Sequence, residues 1–222
     1  MADIIQTEIA KLSHLLQVIQ QDNYLLSTLE RVASACTRAL QQGKKILLAG
    51  NGGSAADSQH LAAEFVSRLR FDRPGLAAIA LTTDTSALTA IGNDYSFEQI
   101  FSRQVLALGN AGDVFIGIST SGKSSNILRA FEAARAREMI TIGFTGIKSP
   151  FMAERCDHVL NVPSNEVAKI QECHIMLGHI VCALVEDDIF GEEYDPSRNP
   201  EREAIREQAY MPFLKDVNGN NV

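Results

Sequence analysis

The chain has 222 residues, a formal net charge of −7, 45 % hydrophobic and 21 % charged residues, a length that suits one well-buried domain and is short for two. No apolar run approaches the roughly 20 residues that span a bilayer, and no Lys/Arg cluster offers the basic face that nucleic acid needs, so neither a membrane nor nucleic acid is an expected partner. The first residues, MADIIQTEIAKLSHLL, mix acids and bases without a signal-peptide profile, which places the expectation in the cytoplasm.

Ile4, Ile5, Ile9, Leu12, Leu15, Leu16 and Ile19 recur at helical spacing and a second run covers 24–42, so residues 1–42 form an N-terminal helical segment. From Lys44 the pattern changes to strand–turn–helix. The apolar stretch 44–49 predicts a strand, then a glycine loop and a helix from Ser54 to about Arg70. Residues 76–81 predict a second strand with helices across 84–108, and 113–118 a third with a helix at 123–137. Residues 140–144 and 158–162 predict the fourth and fifth strands, before a long helix over 166–190. Short apolar strands alternating with helices predict an α/β fold: a five-stranded parallel sheet covered on both faces, in one domain over 1–190. The last helix carries Ile170, Met176, Leu177, Ile180, Val181, Leu184, Val185 and Phe190 on more than one face. A helix apolar nearly all round is buried, and another subunit is the expected partner. Residues 191–222 read as a polar C-terminal extension, in which 201–214 offers a short helix.

Cys36, Cys156, Cys173 and Cys182 are scattered without a CxxC pair, which reads as small buried hydrophobes rather than a cysteine zinc site. Chemistry is expected at the carboxyl ends of the strands, where parallel sheets bind ligands. Two loops there suit anions. Residues 50–60, GNGGSAADSQH, let the backbone approach a ligand and present unpaired N–H groups where a helix opens at Ser54. The loop is not a GxGxxG fingerprint and no acidic ribose ligand follows, which argues against a dinucleotide. Residues 119–125, STSGKSS, crowd hydroxyls and a glycine at a helix start, more than an N-cap needs, and favour phosphate. The string GISTSGKS at 117–124 formally matches a P-loop. Gly117 falling inside the predicted strand, and the lack of a strand ending in a magnesium-binding Asp, make a nucleotide triphosphatase the minority reading.

His60 and Glu64 sit at i and i+4 and share a helix face. Gln171 and His179 lie two turns apart on one ridge of the apolar last helix, where buried polar groups need partners. His174 reads as a core histidine satisfied by a backbone carbonyl, and His14 and His158 as structural or exposed. His60, Glu64, Gln171 and His179 offer two imidazoles, a carboxylate and an amide oxygen. That set suits a divalent ion such as Zn²⁺ with an open position, or metal-free acid–base work. Eight helical residues rise about 12 Å. Gln171 and His179 therefore either stretch toward one ion between them or reach a site from different subunits.

The strings GNGGSAADSQHLAAE, AIALTTDTSALTAIGND, FSRQV, GDVFIGISTSGKS and IQECHIMLGHIV, in order from the N-terminal helices to about residue 190, resemble the sedoheptulose 7-phosphate isomerases of the sugar isomerase (SIS) domain family. The resemblance implies a flavodoxin-like αβα sandwich, a homotetramer with active sites at subunit interfaces, and conversion of sedoheptulose 7-phosphate to D-glycero-D-manno-heptose 7-phosphate, toward nucleotide-activated heptose for bacterial surface glycans. Carried over by motif, Ser119, Thr120, Ser121 and Ser124 would hold the phosphate. Asn51, Gly52, Gly53, Ser54, Asn93, Asp94 and Gln171 would meet the sugar. Glu64 and His179 would be the acid–base pair, and His60, Glu64, Gln171 and His179 the zinc ligands. Two positions depart from the pattern: Lys123 stands where many relatives have Asn, and Ala168 where some have an acid. The competing reading is a non-catalytic member of the same fold that binds a phosphosugar or a replication-initiator protein; the presence of both Glu64 and His179 favours the enzyme.

Overall fold

A computed structural model describes residues 2–147, 150–195 and 197–198. Two helices come first, α1 (Ala2–Gln21) and α2 (Asn23–Gln41), the second opened by the Asp22 carboxylate accepting from the Leu25 N–H at 3.0 Å. The alternating part then runs β1 (Ile46–Gly50), α3 (Gly53–Val66), β2 (Ala78–Ala80), α4 (Thr85–Asp94), a 3₁₀ turn (Phe97–Gln99), α5 (Ser102–Leu108), β3 (Val114–Ile118), α6 (Ser125–Ala136), β4 (Ile140–Thr145), α7 (Pro150–Ala153), β5 (His158–Asn161) and α8 (Val167–Tyr194).

All five strands are parallel, in the order β2-β1-β3-β4-β5. Because β-strand side chains alternate, β1 sends Ile46 and Leu48 to one face and Leu47 and Ala49 to the other. The first face is closed by α1, α2, α3 and α8, with Val32, Cys36, Leu61, Phe65, Leu177 and Val181 in its core. The second is closed by α5 and α6, where Phe131 stacks edge-on to Phe115 with ring centroids 5.1 Å apart. The central strands are buried on both faces, while β2 at the sheet edge leaves Ile79 exposed.

Several boundaries differ from the sequence reading. The predicted helix to Arg70 stops at Val66, because the Arg73 guanidinium takes the carbonyls of Glu64, Phe65 and Ser67 and the chain turns back. The helices expected across 84–108 are α4 and α5, parted where Ser96 is fully extended ahead of the 3₁₀ turn. α8 continues to Tyr194, past the predicted end. Its burial is also mostly internal, against α2, α3 and the sheet, and only Ile180 and Leu184 of its large apolar residues, besides Val167 at its start, stay exposed. The helix anticipated at 201–214 lies outside the described residues. No described helix is long and apolar enough to cross a membrane.

Candidate active site

The strand order reverses direction between β1 and β3. The chain leaving β1 turns into α3 on one face, and the chain leaving β3 turns into α6 on the other, so the two loops part and open a crevice at the carboxyl edge. Both anion-suited loops of the sequence reading stand here. At the β1 loop, Gly52 adopts φ 57° and ψ −121°, a region that residues with a Cβ avoid. A Cβ at Gly50 would lie 2.3 Å from the Ser54 carbonyl oxygen, so strand and helix can meet this closely only through glycine. Ser54 is buried at the opening of α3.

At the β3 loop, Ser119 is buried and its hydroxyl pairs with that of Ser124 at 3.0 Å, while the Ser121 hydroxyl accepts from the Lys123 N–H at 3.2 Å. A turn closed by the Gly122 N–H donating to the Ser119 carbonyl carries the chain into α6. A cavity of about 500 Å³ opens beside it, lined by Thr120, Ser121, Lys123, Ser164, Asn165 and Ile170 among others. Gly117 lies inside β3, where an added Cβ would strike the Phe131 ring at 2.5 Å. The P-loop pattern is therefore coincidental in register: its first glycine packs against a core ring and does not shape a loop.

Asn126 joins the two loops. Its amide and that of Asn51 bond reciprocally, Asn51 Nδ2 donating to Asn126 Oδ1 at 2.9 Å and Asn126 Nδ2 donating to Asn51 Oδ1 at 2.8 Å. This leaves Asn51 one N–H for a ligand. Sequence reading had passed over Asn126; its signal was a polar residue one position into an apolar-faced helix, directly after the hydroxyl loop.

The His/Glu constellation forms two turns lower. α3 and α8 lie side by side and run the same way: Gln171 meets Gly53, His179 meets His60, and Gly178 packs on Leu61. The His60 and His179 Nε2 atoms stand 2.8 Å apart, and Glu64 Oε1 lies 3.2 Å from the same His60 nitrogen. One ligand atom from each of the three residues falls within 4.8 Å of the others. Two imidazole nitrogens and a carboxylate are the donor chemistry of a three-residue zinc site with an open fourth position. An ion bound at about 2.0–2.1 Å needs the two nitrogens opened to roughly 3.3 Å, a small side-chain adjustment. The group is reachable from solvent, with the His60 side chain half exposed at 49 % and Glu64 at 18 %. One turn back on α3, burial raises the Asp57 carboxyl above its ordinary pKa, an effect that nearby His60 opposes.

Not every expected residue joins this group within one chain. The Gln171 amide lies against Gly53, where an added Cβ would stand 2.2 Å from its nitrogen, so it faces the crevice edge while His60 sits about 10 Å further along α3. Asn93 and Asp94 are exposed at the end of α4 and hydrogen-bonded to each other at 2.8 Å. His174 is fully buried against Phe144 as expected of a core histidine, yet neither ring nitrogen has a well-formed partner among the described residues. Burial pulls its pKa down to about 4, against a backbone contact with Thr145 that favours the charged ring.

A SIS-domain family model matches residues 9–146. The chain belongs to the SIS-domain family. Within that family it is 60 % identical over 189 residues to a phosphoheptose isomerase of Burkholderia pseudomallei, covering 85 % of this chain and 96 % of the relative. It is 54 % identical over 194 residues to the phosphoheptose isomerase of Aneurinibacillus thermoaerophilus, covering 87 % and 98 %. Among solved SIS-domain structures, the phosphoheptose isomerase from Neisseria gonorrhoeae superimposes with a TM-score of 0.79 at 44 % identity, over 84 % of this chain and 98 % of that one.

Proposed function

We propose that the chain is a phosphosugar isomerase that converts sedoheptulose 7-phosphate to D-glycero-D-manno-heptose 7-phosphate, at the head of nucleotide-activated heptose synthesis. The observation that carries the chemistry is the convergence of His60, Glu64 and His179, which lie up to 119 residues apart in sequence, on neighbouring helices. The substrate follows from relatives of 48–60 % identity that bear the phosphoheptose isomerase name.

The hydroxyls of Ser119, Thr120, Ser121 and Ser124 and the N-terminus of α6 would receive the phosphate. Asn51, Gly52, Gly53, Ser54 and Gln171, with Asn93 and Asp94, would meet the sugar hydroxyls. Moving a carbonyl from C2 to C1 needs one proton shifted between carbons and one between oxygens. The Glu64 carboxylate takes the C1 proton as His179 donates a proton to O2. Glu64 then returns its proton to C2 and His179 accepts the proton of O1. The balance is a net isomerisation with both side chains restored. Zn²⁺, where bound, would be held by His60, Glu64 and His179 with Gln171 as the further ligand, and would supply electrophilic stabilisation of the substrate oxygens; Glu64 would then be a weaker base and the proton transfer would fall to His179.

Because Gln171 and the hydroxyl loop stand at the crevice and His60 sits about 10 Å along α3, we assign the complete cleft to an oligomer, a tetramer with interfacial sites, acting in the cytoplasm. The test is a coupled isomerisation assay. Glu64→Gln and His179→Ala each abolish turnover in folded protein, and wild-type turnover by either removes the acid–base assignment. Mixing Glu64→Gln with Ser119→Ala subunits restores activity if the two halves of the site come from different copies. A fully active monomer in analytical ultracentrifugation removes the interfacial site.

A further inference from the structure

We propose that Arg73 and Glu186, which hydrogen-bond to none of the side chains of His60, Glu64 and His179, are positioning residues that hold α3 and α8 in register for the reaction. The inference rests on the acid–base reading of Glu64 and His179. Both side chains are sealed from solvent, at 1 % and 0 % exposure. The guanidinium donates from Nε to Glu186 Oε1 at 3.0 Å and from Nη2 to the Glu64 carbonyl at 2.8 Å. Its Nη1 reaches the carbonyls of Phe65 at 2.7 Å, Pro74 at 3.0 Å and Ser67 at 3.2 Å. Glu186 in turn accepts from the N–H groups of Leu69 at 3.1 Å and Arg70 at 2.9 Å.

The geometry is that of a clasp. The last turn of a helix carries unpaired carbonyls with partial negative charge, and a buried cation there is well placed. Here that cation holds the carbonyl of Glu64 itself, and its other edge is fixed to α8. Glu186 lies seven residues beyond His179, two turns along the same ridge of α8. One bridge therefore sets how far α3 can slide along α8, while the contact between Leu61 and Gly178 sets how closely the two helices approach. A buried ion pair is a weak source of net stability. A guanidinium fork fixes both direction and distance, which a lysine ammonium does not.

The experiment uses full-length protein loaded with Co²⁺, with Arg73→Lys and the apolar double variant Arg73→Met/Glu186→Leu. Both are expected to lose at least ten-fold in kcat for sedoheptulose 7-phosphate with KM within two-fold of wild type, since the phosphate loop is untouched. The visible absorption of the bound cobalt is expected to shift and weaken as the donor geometry changes. Wild-type kcat and cobalt spectrum in Arg73→Lys, whatever its melting temperature, make the pair a stability element alone and overturn the proposal. If the double variant does not fold, Arg73→Lys decides. Glu64→Gln measured alongside separates the two failures. An active Glu64→Gln brings down the acid–base reading; an inactive one beside a wild-type Arg73→Lys brings down only the clasp.

Discussion

Gly178→Ala tests whether the separation of α3 and α8 governs catalysis. An added Cβ would lie 2.7 Å from both methyl carbons of Leu61 and 3.2 Å from its Cγ. Carbon atoms pack at about 3.5–4.0 Å, and Leu61 is itself buried, so the helices must part by roughly 1 Å. Overpacking of this kind costs about 1–3 kcal/mol, against which alanine offers about 1 kcal/mol of helix propensity over glycine. The net loss is therefore about 0–2 kcal/mol, at most several degrees of melting temperature in a chain this long. Turnover is expected to suffer far more, because His179 follows Gly178 directly and faces His60, and a displacement near 1 Å costs on the order of 10²-fold in rate. Thermal melts beside the coupled isomerisation assay separate the two effects. A variant melting a few degrees lower with kcat within two-fold of wild type would refute the claim that this contact sets the catalytic spacing.

Lys123→Asn removes an exposed cation beside the hydroxyl loop. KM is expected to rise roughly two- to five-fold with kcat unchanged, an effect that fades at high ionic strength. Asn126→Leu leaves the Asn51 amide without its partner, with an expected stability loss of about 1–3 kcal/mol in urea unfolding and a raised KM. His174 makes stability depend on pH. Its folded pKa of about 4 lies below the ordinary 6.5, so the unfolded chain binds a proton that the folded chain refuses. The stabilisation is complete above pH 6.5 and is lost as pH falls toward 4, about 3 kcal/mol in all. Urea titrations at pH 7 and 4.5 on wild type and His174→Phe measure it, and an equal pH dependence in the variant removes His174 as the source. Dialysis against a chelator is expected to abolish turnover, with Zn²⁺ restoring it; full activity after metal removal would favour metal-free proton transfer by Glu64 and His179.

The fold was legible because its signals are local. Alternating apolar strands and helices announce a parallel sheet, and the glycines and hydroxyls after β1 and β3 mark the switch point. His60 and Glu64 were legible as a pair through their four-residue spacing. What the sequence could not carry was contact between distant elements. Nothing in the letters around Asn126 says that its partner is Asn51, and the segment after Val66 looks helical until Arg73 reaches back to take the carbonyls that would have continued it. Nothing in the letters around Glu186 marks it as buried, since burial of a carboxylate depends on donors from a segment more than a hundred residues away. GISTSGKS illustrates the reverse error: a motif is defined by letters and spacing, whereas its chemistry depends on where the strand ends.

α8 has a mechanical consequence. Its 28 residues extend about 42 Å without a break, with Gln171 near the start, His179 in the middle and Tyr194 about 22 Å beyond His179. A rigid rotation of about three degrees about its far end would sweep the His179 ring through roughly 1 Å, so the packing of α8 on α2, α3 and the sheet is what keeps that ring in place.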